Sequence, residues 1–100
     1  MLNRPEYNPK VIGRNLKRLR LSKSLTVEDV RKYLRLGSVQ AVYKYENGQS
    51  YPQADALLAL MQLYGAEVAD LIYEYDATPV LKMSRRFYMY HNYWRRGIAG

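Results

Sequence analysis

The sequence contains no cysteine and a single histidine, His91. Without thiols there is no disulfide framework, no thiolate zinc site and no cysteine nucleophile. A metal site takes several protein ligands, so a lone histidine reads as an ordinary side chain and no metal is expected. Long hydrophobic stretches are also missing: no apolar run approaches the ~18 residues of a membrane helix. Residues 1–10, MLNRPEYNPK, lack the apolar stretch of a signal peptide. Nor is there a Ser-His-Asp set, a glycine-rich phosphate loop or a pair of acids suited to one cleft. Asp55, Glu67, Asp70 and Glu74 are scattered and read as acids on helix surfaces. These absences point away from an enzyme and from a membrane protein. They leave the expectation of a small cytoplasmic protein with no cofactor.

What is present is a surplus of positive charge. The 100 residues, a single-domain length, carry 16 Lys and Arg against 9 Asp and Glu, a net charge of +7. The surplus is uneven. Residues 1–76 hold 11 basic and 9 acidic side chains, whereas residues 77–100 hold Lys82, Arg85, Arg86, Arg95 and Arg96 and no acid. A basic excess favours nucleic acid or anionic lipid as partner without choosing between them. The hydrophobic fraction of 48% is too high for a fully disordered chain.

The apolar spacing is helical throughout. Residues 1–10 read as an irregular arm, with Asn8 placed to cap a helix that begins at Pro9. Ile12, Leu16 and Leu19 then make one face of a first helix over about residues 9–22. Thr26 with Asp29 three residues on has the form of a capping box, opening a second helix whose buried stripe is Val30, Tyr33 and Leu34. Gly37 breaks that pattern. Ser38 is placed to cap a third helix with Val42 and Tyr45 inside, ended by Asn47-Gly48. Pro52 opens a fourth helix carrying Leu57, Leu60, Met61 and Tyr64, stopped by Gly65. Leu71 and Ile72 mark a short fifth over about residues 67–74. No segment alternates as a strand would. Five short helices over residues 11–76 predict one compact all-α bundle with a small core, into which Tyr33, Tyr45 and Tyr64 bury their rings.

The order of these features is more specific than any one of them. A helix, then Leu25-Thr26-Val27-Glu28-Asp29-Val30, a turn, Val42-Tyr43-Lys44-Tyr45-Glu46-Asn47-Gly48 and Pro52 resembles the phage-repressor and Cro-type (Xre) helix-turn-helix family. The resemblance covers residues 11–74. It implies a lambda-repressor-like bundle whose third helix enters the major groove of double-stranded DNA. The outward positions Val39, Gln40, Tyr43 and Lys44 look like its base readers. Gln40 has amide geometry for an adenine edge, Lys44 can reach guanine acceptors, and Val39 can contact a thymine methyl group. Ser38, Asn47 and the backbone N–H groups of Val27 and Glu28 match phosphate contacts. Arg14, Lys17 and Arg18 on the first helix are either phosphate contacts or a solvated face. In the family an acid at the Glu46 position joins an arginine matching Arg20. The resemblance therefore implies an Arg20–Glu46 ion pair that braces the motif and keeps Arg20 near a phosphate. It also implies a transcriptional regulator, a repressor in type, acting as a homodimer.

Three positions depart from the family pattern. Val27 stands where a polar Gln is usual, and Arg31 where a small Ala packs between the motif helices. The turn Arg35-Leu36-Gly37-Ser38 is one residue longer than a common Gly-led turn. Leu36 is expected to plug the core beneath it. Arg31 must either splay the two helices or escape to the surface.

Beyond Thr78-Pro79, a boundary signal, Met83, Phe87, Tyr90 and Trp94 recur at helical spacing among the five bases. Such a segment suits a sixth helix on its own domain or a partner subunit, a DNA-contacting arm, a disordered remnant or, least, an interfacial membrane helix. With Leu71 and Ile72 it supplies the expected tail or dimer packing. Two other functions fit the same chain: a protein-interaction module using the aromatic tail, and a non-specific nucleic-acid binder driven by charge.

Overall fold

The computed structural model describes residues 2–74. Five helices follow in order: α1 (Pro9–Ser22), α2 (Val27–Leu34), α3 (Val39–Glu46), α4 (Ala54–Tyr64) and α5 (Val68–Ile72). Among the described residues there is no strand, and no helix long and apolar enough to cross a membrane. The architecture is the all-α helix-turn-helix bundle expected from the spacing and the resemblance.

Local chemistry sets the boundaries. The Asn8 side chain accepts the Lys10 N–H at 2.9 Å, and Pro9 occupies the first turn, where its missing N–H costs nothing. At the start of α2 the capping box is complete. Thr26 Oγ1 accepts the Asp29 N–H at 3.0 Å, and the Asp29 carboxylate accepts the Thr26 N–H at 2.8 Å. Gly65 ends α4 with φ 64°, the left-handed conformation a C-cap favours.

Three boundary expectations are corrected. Ser38 does occupy the N-cap position of α3, but its side chain makes no capping hydrogen bond. Pro52 does not open α4. It is buried two residues ahead of the helix, and Gln53 is the N-cap. Lastly, α5 stops at Ile72 because Asn15, buried on α1, donates from Nδ2 to the carbonyls of Leu71 (2.7 Å) and Tyr73 (2.9 Å). Those side-chain bonds satisfy the end of α5, and Tyr73 leaves in an extended conformation.

The core is Leu16 and Leu19 of α1, Val30 of α2, Val42 of α3, Leu60 and Tyr64 of α4, and Leu71 of α5. Each such aliphatic side chain contributes about 1.5–3 kcal/mol by leaving water. Leu36 packs half-buried against this cluster beneath the turn, as its position predicts, and so does Tyr45. Tyr33 departs from the expected stripe. It is 45% exposed at the edge between α2 and α4, where its hydroxyl donates to the Ala59 carbonyl at 3.3 Å. A phenol that finds its acceptor at the surface need not be drawn inside.

Asn15→Ala removes both bonds to the end of α5. The buried Leu71 carbonyl and the part-buried Tyr73 carbonyl then lose their donor, and the variant is expected to unfold about 1–3 kcal/mol more easily in urea. A denaturation midpoint equal to that of the parent would remove Asn15 from this role.

Candidate nucleic-acid interface

The first and third helices are held by a buried ion pair. Arg20, in the last turn of α1, donates from Nε to Glu46 Oε2 at 2.7 Å and from Nη2 to Glu46 Oε1 at 3.1 Å. Its Nη1 reaches the Leu25 carbonyl at 2.9 Å, in the connection that leads into α2. The two side chains are only 8% and 4% exposed. One guanidinium thus joins the end of α1, the approach to α2 and the end of α3. Its hydrogen bonds to Glu46 raise the Arg20 pKa above its ordinary value, so it stays charged. Burial pushes the neighbouring Tyr64 hydroxyl up, and Glu46 adds to that shift, so Tyr64 stays neutral. The ion pair stands as the sequence led us to expect. Three of the five N–H donors of Arg20 are engaged by Glu46 and Leu25.

The same junction needs glycine. A Cβ on Gly13 would lie 2.5 Å from the Glu46 carbonyl oxygen and 2.6 Å from that of Tyr45. Those oxygens are backbone and cannot swing aside, so α1 and the end of α3 touch there because residue 13 has no side chain. Gly48 turns at φ 76°, and a Cβ there would meet the Lys10 backbone at 2.9 Å. Sequence reading assigned Gly48 to the cap of α3 and passed over Gly13. Periodicity marks where a helix has an apolar face, not where a neighbouring backbone crosses it.

With Val42 and Glu46 inward, Gln40, Tyr43 and Lys44 lie on the exposed side of α3, and Val39 is half-buried at its start. Ser38 and Asn47 are exposed at the two ends of α3. At the start of α2 the Val27 side chain packs against the core, while Glu28 is exposed. The capping box engages the N–H groups of Thr26 and Asp29, leaving those of Val27 and Glu28 as first-turn donors. Lys17 is exposed on α1. Arg14 turns away from this set and pairs with Glu74 at 3.0 Å. Arg18 donates to the Asp70 carbonyl at 3.1 Å and sits beside Asn15. Both arginines therefore serve the α1–α5 side. Leu71, expected at a tail or dimer contact, is a core residue at 4% exposure, and Ile72 is half-buried beside it. Met83, Phe87, Tyr90, His91 and Trp94 lie outside the described residues.

The sequence pattern of the helix-turn-helix domain family matches residues 11–71. This chain belongs to that family. Solved structures agree on the fold. The clp gene regulator ClgR of Corynebacterium glutamicum superposes with a TM-score of 0.57 at 22% identity, over 71% of this chain and 88% of that one. The DNA-binding domain of BldD from S. venezulae gives 0.54 at 24% identity, over 66% and 97%. The restriction-modification controller protein C.AhdI of Aeromonas hydrophila gives 0.55 at 25% identity, over 63% and 94%. No curated protein sequence matches the chain.

Two departures of this helix-turn-helix domain are visible in the structure. In the turn, the left-handed residue is Arg35, with φ 60°, and not Gly37, which has no atom near where a Cβ would stand. Arg31 takes the surface route. It lies half-buried, donates to the Glu28 carboxylate at 2.9 and 2.7 Å, and donates from Nη1 to the Leu36 carbonyl at 3.0 Å. It therefore ties the start of α2 to the turn and screens the negative charge of Glu28. The hydrogen bond from Arg31 lowers the Glu28 pKa, and the Thr26 backbone lowers that of Asp29.

Both carboxylates have depressed values in the folded domain. The stability they lend α2 is therefore present at neutral pH and is lost as pH falls below ~4. Glu46→Gln leaves the Arg20 guanidinium buried without a counter-charge and is expected to cost about 3–5 kcal/mol in urea denaturation. A loss under about 1 kcal/mol, the size of an exposed pair, would contradict the buried role.

Proposed function

We propose that this protein is a sequence-specific DNA-binding transcriptional regulator, a repressor in type, that inserts α3 into the major groove. The observation that carries the reading is the division of α3 into two faces. One face is fixed to the core and to Arg20 through Val42 and Glu46. The other presents Gln40, Tyr43 and Lys44 to solvent with Val39 at its edge. A helix so anchored can hold side chains at base edges without adjusting itself on contact.

Each outward residue has a role its chemistry suits. Gln40 pairs with the N6 and N7 edge of an adenine, and Lys44 donates to guanine O6 and N7. Val39 covers a thymine methyl group. Tyr43 contributes its hydroxyl or ring face beside them. Ser38, Asn47 and Lys17 contact phosphates, and the Val27 and Glu28 N–H groups meet another at the positive end of α2. Arg20 positions α3. The relatives named above include a gene regulator, a restriction-modification controller protein and a DNA-binding domain, which supports the class of function.

One such domain makes few base contacts. Two copies on a near-palindromic site double the footprint, with half-sites about one helical turn apart, so the acting species is a homodimer on DNA. Selection from a random DNA pool is expected to enrich a short two-fold site. On that site Gln40→Ala and Lys44→Ala are each expected to cost about 1–3 kcal/mol in binding. On random DNA the Gln40 variant should bind like the parent. Binding that depends on salt but enriches no sequence would replace this reading with charge-driven, non-specific association.

A further inference from the structure

A groove of about 360 Å³ opens on the side of the bundle formed by the arm, α4 and α5. Its lining is mainly apolar: Tyr7, Tyr51, Leu57, Met61, Val68 and Ile72 form most of it, with Leu71 at its floor. Val68 stands at the rim with 56% of its surface exposed. None of these residues takes part in the reading face of α3. We infer that residues 83–94 of the same chain occupy this groove, with Met83, Phe87, Tyr90 and Trp94 against its apolar wall.

Three observations select that occupant. The first is chemical match: at helical spacing those four side chains would form one apolar, largely aromatic stripe, and a groove of aliphatic and aromatic walls is what would cover it.

The second is reach. The chain leaves α5 at Tyr73, one residue beyond the groove-lining Ile72. The ten residues from there to Met83 can span up to ~33 Å when extended. A tether that short gives an effective concentration on the order of millimolar, so modest contacts suffice.

The third is charge. Residues 45–76 contain six acids, Glu46, Asp55, Glu67, Asp70, Glu74 and Asp76, and no base. All eleven bases that precede residue 77 lie at or before Lys44. Residues 77–100 carry five bases and no acid. Residues 45–76, which build α4 and α5, are therefore the acidic part of the domain sequence, while at the groove itself Arg4 and Glu6 both line the wall and offset each other. The α1–α3 side, where DNA is proposed to sit, repels the same segment. Docking in the groove pairs the basic tail with the acidic half and leaves α3 uncovered. The inference is independent of the DNA-binding reading.

Trp94 is the only tryptophan in the chain, so its fluorescence reports its own surroundings. In the full-length protein its emission is expected to lie well to the blue of free N-acetyltryptophanamide. Quenching by acrylamide should be several-fold weaker. Val68→Lys, at the groove rim, should move the emission to the red and restore quenching. Leu58→Lys, on an α4 residue 65% exposed and outside the groove, should change neither. Far-UV circular dichroism checks that both variants keep their helices. The final arm mixes the Val68→Lys chain with a Trp94→Phe chain whose groove is intact, after co-refolding. Docking within one chain predicts that the emission stays red. Recovery of the blue emission would mean that the groove takes the tail of a second copy, and would overturn the inference. Free-tryptophan emission in the parent, or a Val68→Lys variant identical to it, would also overturn it, as would a Leu58→Lys variant that behaves like Val68→Lys.

Discussion

The bundle depends on one buried ion pair. Arg20 and Glu46 are far apart in sequence, nearly inaccessible, and joined by two hydrogen bonds. Bringing both charges out of water is costly, and their attraction offsets that only because the geometry is bidentate and Leu25 takes a further donor. Replacing such a pair by apolar residues is often neutral for stability. Its worth here is directional. A hydrophobic contact would let α3 roll or slide, whereas a forked guanidinium on a carboxylate admits one register. Gly13 sharpens the restriction by letting the two backbones meet at the same place.

From this junction the rest of α1 follows. The helix serves three neighbours with three chemistries. Leu16 and Leu19 bury against the central core. Arg20 takes hold of α3 and the approach to α2. Asn15 closes the end of α5, with Arg14 and Arg18 alongside on Glu74 and the Asp70 carbonyl. The basic residues of α1 are thus divided between bracing and solvent, and they do not form one uniform DNA-facing stripe. A surface pair such as Arg14–Glu74, well exposed on both sides, adds little to stability. Its significance is that it directs Arg14 towards the acidic half of the molecule.

Much of the fold was legible because its signals are local. Asn8 with Pro9, the Thr26–Asp29 box and Gly65 act within a few residues of themselves, and the structure has them where the sequence puts them. The Arg20–Glu46 pair was legible only through the family resemblance, since nothing in local spacing brings those positions together. The features that escaped are those fixed by a distant partner. Gly13 matters because of carbonyls on α3, and Asn15 because of carbonyls at the end of α5. The turn has a feature that local sequence does not mark: Arg35 adopts positive φ while Gly37 does not. For the candidate site, exposure of Gln40, Tyr43 and Lys44 followed from the inward placement of Val42, but Arg14 was drawn off by an acid that spacing alone could not place.

The central claim is that Arg20 and Glu46 act together to set α3 for reading DNA. A double-mutant cycle tests it most directly, with Arg20→Met and Glu46→Leu made singly and together and each variant titrated against the selected site. Each single change is expected to weaken binding, and the combined change to lose less than the sum, with a coupling of about 0.5–3 kcal/mol. Losses that add, or single variants that bind like the parent while still folded, would contradict it.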